Sequence, residues 1–470
     1  MSQQTKPIAT PTLSPQSDVS TRPYIISTTT SPSVTITPIS PAVMETRESL
    51  SRELVCFSDE MSDSKELEVF RETILFVHQL SPEQEIELQD LLHWDRYRLS
   101  DYYAFAFPDH QYEFETVHAS EVMENRCHDI SFVYGSELSA PFMSKIPEVI
   151  RFEESLQQIL IEDRVYQGED ISLVINVPYL GAHQNRIILL MGHEDTAVKY
   201  GLTNYLNYIF SDTFDYIITN KEFPLEAGRI DPENGQINNY KLWEQKEWKV
   251  RRALHYNIFY RPNSLAQEEL DYIISFQESA YVRIRDLIGW VDQPINIYLY
   301  DSLEDKEGQL GIGGNGYAVP PSFSTHSIYS EDGKAIGGHE TTHVIASHTL
   351  RHSFVPLLSE GLAVYLSNPE GSFKPEHSST KFFLENGGFI PLAQLIDNMS
   401  FWQLDATISY PLAGSFVKFL IEEYGMTKFT QLYREMESDN GYEKLEEIYE
   451  LPLPKLEEAW IETVEEFEEN

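Results

Sequence analysis

Two histidines four residues apart, with a glutamate beside the first, are the residues in this chain best spaced for chemistry. The stretch Gly337-Gly338-His339-Glu340-Thr341-Thr342-His343-Val344 contains H-E-x-x-H. On a helix, residues four apart lie on one face. His339 and His343 can therefore both present a ring nitrogen to one metal ion. Glu340 sits one position round, within reach of a water on that ion without being a ligand. With 14 histidines in 470 residues, such a match arises by chance about 0.05 times. Two hydrogen-bonded histidines on a helix face would produce the same letters without a metal.

The third ligand decides between these readings. A catalytic zinc takes three protein ligands and keeps one position open. A third histidine in register on the same stretch would stand at 349, with glycine at 346; the chain has Thr349 and Ala346. His348 and His352 are out of register and read as surface or packing residues. The better candidate is Glu360, in Leu357-Leu358-Ser359-Glu360-Gly361-Leu362-Ala363-Val364-Tyr365. Pro356 marks a break, and the apolar spacing after it reads as a new helix. A helix returning antiparallel to the first could aim this carboxylate at the two histidines. Gly361 and Ala363 would let those two helices approach closely. A glutamate near a helix start is otherwise a favourable partner for the helix dipole.

HETTH followed by LLSEGLAVYL resembles the gluzincin metallopeptidases, the thermolysin-like clan MA. The stretch from Ile408 to Gly425, ISYPLAGSFVKFLIEEYG, is similar to the peptidase-MA-like branch, where a helix after the ligand glutamate ends in Tyr-Gly. The resemblance covers residues 250–435 in outline. It implies an α+β, thermolysin-like zincin domain with one Zn2+ per chain on His339, His343 and Glu360. It implies a peptide or protein substrate, with Glu340 as general base to a zinc-activated water and then as proton donor to the leaving amine. Tyr410 is the implied donor to the tetrahedral oxyanion; a tyrosine there is equally a packing residue. Sixteen residues separate His343 from Glu360, fewer than in the clan's aminopeptidases, and their G-x-M-E-N signature is absent. Endo- and exopeptidase action both stay open. So do an inactive peptidase-like scaffold and a zinc hydrolase of a non-peptide amide.

The elements that must position these residues are legible in part. Residues 255–260 alternate and end before Pro262, as a strand does, and Ile295, Ile297 and Leu299 mark a second strand. Ser264 to Ile288 reads as a long amphipathic helix. A glycine-rich loop from Gly308 to Gly316 follows, then an expected edge strand at 325–330 that could pair with an extended peptide. Leu456, Trp460, Val464 and Phe467 form a helical stripe within an acidic C-terminal segment, expected to pack with its charged face in solvent. These elements make up a metallopeptidase-like domain over 246–470.

Upstream the expectations are coarser. Residues 1–44 hold 24 Ser, Thr or Pro and read as a disordered tail. Residues 45–160 read as mainly helical. Within them, Leu67, Phe70, Ile74, Val77 and Leu80 have helical spacing, and Ser81-Pro82-Glu83-Gln84 has the form of a helix start. Residues 161–245 read as mixed α/β, with strands at Ile171–Val177 and Arg186–Met191 and a helix at 196–211. His193-Glu194 begins like the metal motif, but Ala197 stands where the second histidine belongs, so it reads as a loop.

Composition excludes several function classes. The net charge is −41, which repels phosphate groups, so no nucleic acid and no anionic membrane partner is expected. No apolar run approaches the ~18 residues of a membrane span. No signal sequence is visible, and a cytoplasmic location is the expectation. Two cysteines, Cys56 and Cys127, allow at most one disulfide. Oligomeric state is left open.

Overall fold

The computed structural model describes residues 246–468 with few gaps, segments of 130–243, residues 110–118 and 70–81, and the pair Val19–Ser20. Eighteen strands run in order among these residues: β1 (Val19–Ser20), β2 (Phe70–His78), β3 (His110–His118), β4 (Ile130–Tyr134), β5 (Ile150–Glu153), β6 (Gln158–Ile161), β7 (Arg164–Gln167), β8 (Ile171–Val177), β9 (Arg186–Gly192), β10 (Tyr216–Asn220), β11 (Phe223–Ile230), β12 (Ile237–Leu242), β13 (Lys249–Arg252), β14 (Tyr256–Tyr260), β15 (Ile295–Tyr300), β16 (Gly316–Val319), β17 (Ser324–Ser330) and β18 (Gly333–Lys334). The helices are α1 (Leu265–Glu268), α2 (Leu270–Ile288), α3 (Leu303–Leu310), α4 (His339–Thr349), α5 (Pro356–Leu366), α6 (His377–Asn386), α7 (Leu392–Ile396), α8 (Asn398–Gln403), α9 (Ala406–Tyr424), α10 (Met426–Glu435), α11 (Gly441–Tyr449) and α12 (Leu453–Glu466). The fold is α+β. Among the described residues no helix is long and apolar enough to cross a membrane.

The N-terminal part is built on strands. An eight-stranded mixed sheet has the order β12-β11-β10-β8-β9-β4-β2-β3, and a three-stranded antiparallel sheet, β5-β6-β7, accompanies it. Glu226 of β11, fully buried, takes two bonds from the Arg164 guanidinium of β7 at 2.8 and 2.9 Å and is also bonded by Tyr166 and Tyr216, which ties the two sheets together. The strands expected at 171–177 and 186–191 are present.

The described residues of 45–160 are mostly strand, which corrects the mainly helical expectation. Phe70–His78, expected as a helix, is a strand paired in parallel with β3 and β4. Its sequence carries a continuous apolar run, Ile74-Leu75-Phe76-Val77, and such a run contains helical spacings by accident. The eight-stranded sheet also crosses the expected boundary at 160. Val19 and Ser20, within the expected tail, pair with Val250 and Lys249. The helix start at 82–84, Cys56 and Cys127 lie outside the described residues. Of the helix expected at 196–211, residues 197–199 and 201–202 are described and helical.

The C-terminal part surrounds a second sheet, of order β1-β13-β14-β15-β17-β16 with β18 paired to β17. The expected helix 264–288 is α1 and α2, broken at Glu269, with the Ser264 hydroxyl capping α1. β14 and β15 are parallel, joined by α1 and α2; β15 and β17 are parallel, and β16 turns back antiparallel to β17. Residues 325–330 therefore do not form an edge. β17 is internal, and β16 is the edge strand among the described residues. Ser324 and, within the expected edge segment, Thr325, His326 and Ser327 are polar, yet all are buried. One partner is remote and one local: the Tyr300 hydroxyl lies 3.0 Å from His326 Nδ1, and Ser322 Oγ lies 2.7 Å from Ser324 Oγ. The glycine-rich stretch is shorter than expected, because α3 runs through Gly308 to Leu310.

One apolar core joins β14 and β15 to α2, α4, α5 and α7–α12. Leu456, Trp460 and Val464 are fully buried in it, and α12 turns acidic residues outward.

Candidate metal centre

The H-E-x-x-H helix begins at its first histidine. Gly338 is the residue before α4 and has φ 107°, a conformation glycine adopts without strain. A side chain there would also press on Ala280 Cβ of α2 at 3.0 Å. Gly337 N–H donates to Gln277 Oε1 at 3.3 Å, and Tyr256 Oη donates to Thr341 Oγ1 at 3.4 Å, so the start of α4 is fastened to α2 and β14. The far end is held as well. Arg434 of α10 donates to the Leu350 carbonyl at 2.8 Å and the Thr349 carbonyl at 3.1 Å. A guanidinium there meets unpaired carbonyls and the negative end of the helix dipole together. His348 lies 3.0 Å from the Pro320 carbonyl and stacks on Phe323, a packing role as expected. His352 lies outside the described residues.

Glu360 arrives on α5, which opens with Pro356 at a position where proline costs nothing. Gly361 does not serve the contact with α4 that the sequence suggested. It serves α9: a Cβ on Gly361 would stand 2.6 Å from the Ala413 carbonyl oxygen, and one on Gly414 would stand 2.5 Å from Val364 Cγ1. The small residues thus bring α5 against the helix that carries Tyr410.

These elements bring the three expected ligands together. His339 Nε2 and His343 Nε2 are 3.3 Å apart, and Glu360 Oε2 lies 3.1 Å from the first and 3.5 Å from the second. Zinc bonds of about 2.0–2.1 Å in a tetrahedron place ligand atoms about 3.3 Å apart. The three separations bracket that value, so the donor set fits zinc without rearrangement. Side-chain exposures of 21%, 13% and 12% for His339, His343 and Glu360 leave the cluster half-buried and partly accessible to solvent. Among the described residues this is the one group of three or more such side chains able to hold an ion. His193, in the incomplete copy of the motif, stacks on Phe152 instead.

The electrostatics favour a cation. Burial alone would raise the Glu360 pKa, but the charges and hydrogen bonds of His343 and His339 outweigh it and hold the carboxyl well below its usual range. Burial likewise works against a charged His343, yet Glu360, with Glu340 further off, raises its pKa. Tyr410 stacks on His339 with ring centres 6.0 Å apart and is hydrogen-bonded to Glu360. Burial first, then the charges of Glu360 and Glu340, push its pKa up, so its hydroxyl keeps the proton and can donate.

The Glu340 side chain, close enough for its charge to act on His343 and Tyr410, lies against the edge strand. A Cβ on Gly316 would fall 2.1 Å from Glu340 Oε1 and 2.8 Å from its Cδ. The first residue of β16 is a glycine because this carboxylate occupies the space. The sequence flagged a glycine-rich loop but not this seat. It gave no sign of Arg434, nor of Tyr433, which is buried within reach of the Glu360 charge. Comparison with protein-family models and with curated proteins finds no match to this chain.

Proposed function

We propose that this chain is a zinc-dependent metallopeptidase of the thermolysin-like, gluzincin type, and that its C-terminal α+β part is the catalytic unit. The observation that carries the reading is the tetrahedral spacing of His339, His343 and Glu360, with Glu340 beside them and against an edge strand. Zinc, when bound, polarises a carbonyl and lowers the pKa of a coordinated water toward ~7. Glu340, seated at Gly316, accepts a proton and returns it to the leaving amine. The Tyr410 hydroxyl donates to Glu360 at rest, and a developing oxyanion is the competing acceptor. β16, in place of 325–330, offers an open edge along which an extended peptide adds as a further strand.

The test is Glu340→Gln in the full chain. Peptide turnover should fall on the order of 10²–10⁴-fold while zinc stays bound. Cleavage at the wild-type rate by this variant would refute the mechanism. Bound zinc without cleavage of any peptide by the wild type would point to a binding protein, and cleavage of non-peptide amides alone to another hydrolase.

A further inference from the structure

We propose that Lys306 is a positioning residue of this site: its ammonium pins the loop leading into β16 and so holds that strand against Glu340. The loop-pinning half stands on geometry alone; the functional half rests on the metallopeptidase reading.

Lys306 lies on α3 and is completely buried, which lysine almost never is unless paired. Its Nζ donates to the Gly313 carbonyl at 3.0 Å and the Gly314 carbonyl at 3.1 Å. Both glycines are exposed. A glycine-rich loop carries a large backbone entropy, so two charge-assisted bonds are a substantial share of what orders it. Two residues beyond Gly314, Gly316 provides the seat of Glu340.

The charges around the ammonium place it between the loop and the site. Burial lowers the Lys306 pKa to about 8, and Glu340 of α4 and Glu307 of α3 oppose that shift. On β17, His326 is held down to about 3, first by burial and then by the charge of Lys306. Lys306 thus sits between the loop that leads into the edge strand and the strand β17 beside it. It acts through the loop and through Gly316.

The experiment compares the zinc-loaded full chain with Lys306→Met by amide hydrogen exchange, zinc content and peptide kinetics. Exchange in 313–319 should rise about tenfold or more with exchange in α9 unchanged, zinc equimolar, and kcat lowered about tenfold. Unaltered exchange in 313–319 overturns the pin. Faster exchange with unaltered kcat overturns the positioning role. If the wild type cleaves no peptide, the metallopeptidase reading fails, and the exchange comparison alone still decides whether Lys306 holds the loop. If Lys306→Met does not fold, the wild type is compared at pH 7 and pH 9.5, across the Lys306 pKa of about 8. Glu340, Glu307 and His326 are the titratable groups facing it, and His326 stays neutral throughout this window. After correction for intrinsic exchange, selective loosening of 313–316 supports the pin, and a uniform response along the chain overturns it.

Discussion

Gly316 has no side chain, and the Glu340 carboxylate occupies the space one would need. Gly316→Ala forces that carboxylate aside while leaving the three ligands in place. Misplacement of a catalytic group by about 1 Å costs up to ~10²-fold, so kcat should fall 10- to 100-fold in order of magnitude with zinc content unaltered. Equal kcat for the alanine variant would show that Glu340 is not positioned by this contact. His377 makes a second prediction. It is buried where α6 meets α9, with Nδ1 2.8 Å from Ser415 Oγ, and burial, helped by the charge of Lys418, lowers its pKa to about 4. Its folded pKa lies below the unfolded value of about 6.5, so its contribution is intact above pH 6.5 and is lost as pH falls toward 4. The shift corresponds to on the order of 3 kcal/mol. Denaturation midpoints of His377→Gln should therefore vary less between pH 7 and pH 4 than those of the wild type; identical pH dependence would rule this histidine out.

Helix pairing decides whether the three ligands converge. α5 carries Glu360, α9 carries Tyr410, and they meet through Gly361 and Gly414. Gly361→Ala places a methyl against the Ala413 backbone, which cannot yield as a side-chain tip can. Overpacking of this kind costs about 1–3 kcal/mol, and because Glu360 adjoins the site of change, zinc affinity should weaken in parallel. Gly308→Ala on α3, where the added Cβ meets nothing within 4 Å, is the control and should leave both unaltered or slightly improve stability. Urea titration and a competitive zinc chelator measure the two quantities. These contacts also mark what could be read in advance. HETTH on one helix face and a second helix after Pro356 follow from local spacing, and β14, β15 and α2 follow from alternation and periodicity. The partner of Gly361 does not, because helix pairing is tertiary and the same glycine suits α4 or α9 equally. The internal place of β17 is hidden for a related reason: strand order is tertiary, and the Tyr300 hydroxyl beside His326 comes from a neighbouring strand that periodicity cannot see. β2 reads as a helix because its run of consecutive apolar residues, Ile74-Leu75-Phe76-Val77, satisfies helical spacing as readily as strand pairing.

The chain carries a net charge of −41, and β16, an edge strand among the described residues, lies beside its candidate centre. Such a field draws in cationic peptides and repels acidic ones. Raising ionic strength from 0.01 to 0.15 M shortens the screening length from about 30 to 8 Å. Over that range kcat/KM for a lysine-rich peptide should drop roughly tenfold, while that for an uncharged peptide of equal length holds steady. The same salt response for both would remove electrostatic attraction from the account. The two sheets meet at an aromatic seam: Phe223 of β11 packs on Trp248, Tyr298 and His326, and the Arg261 guanidinium lies 3.5 Å over the Trp248 ring. One long-range contact sets an order of events. Arg434, which closes the end of α4, follows His343 by some ninety positions, and Trp460, whose Nε1 donates to Ser415 Oγ at 3.1 Å, follows later still. A ribosome has thus threaded out every ligand well before the residues that steady them emerge. A half-made polypeptide carries the histidines on a helix whose far end is still unbraced, so the finished geometry of the cluster waits for the last stretches of translation.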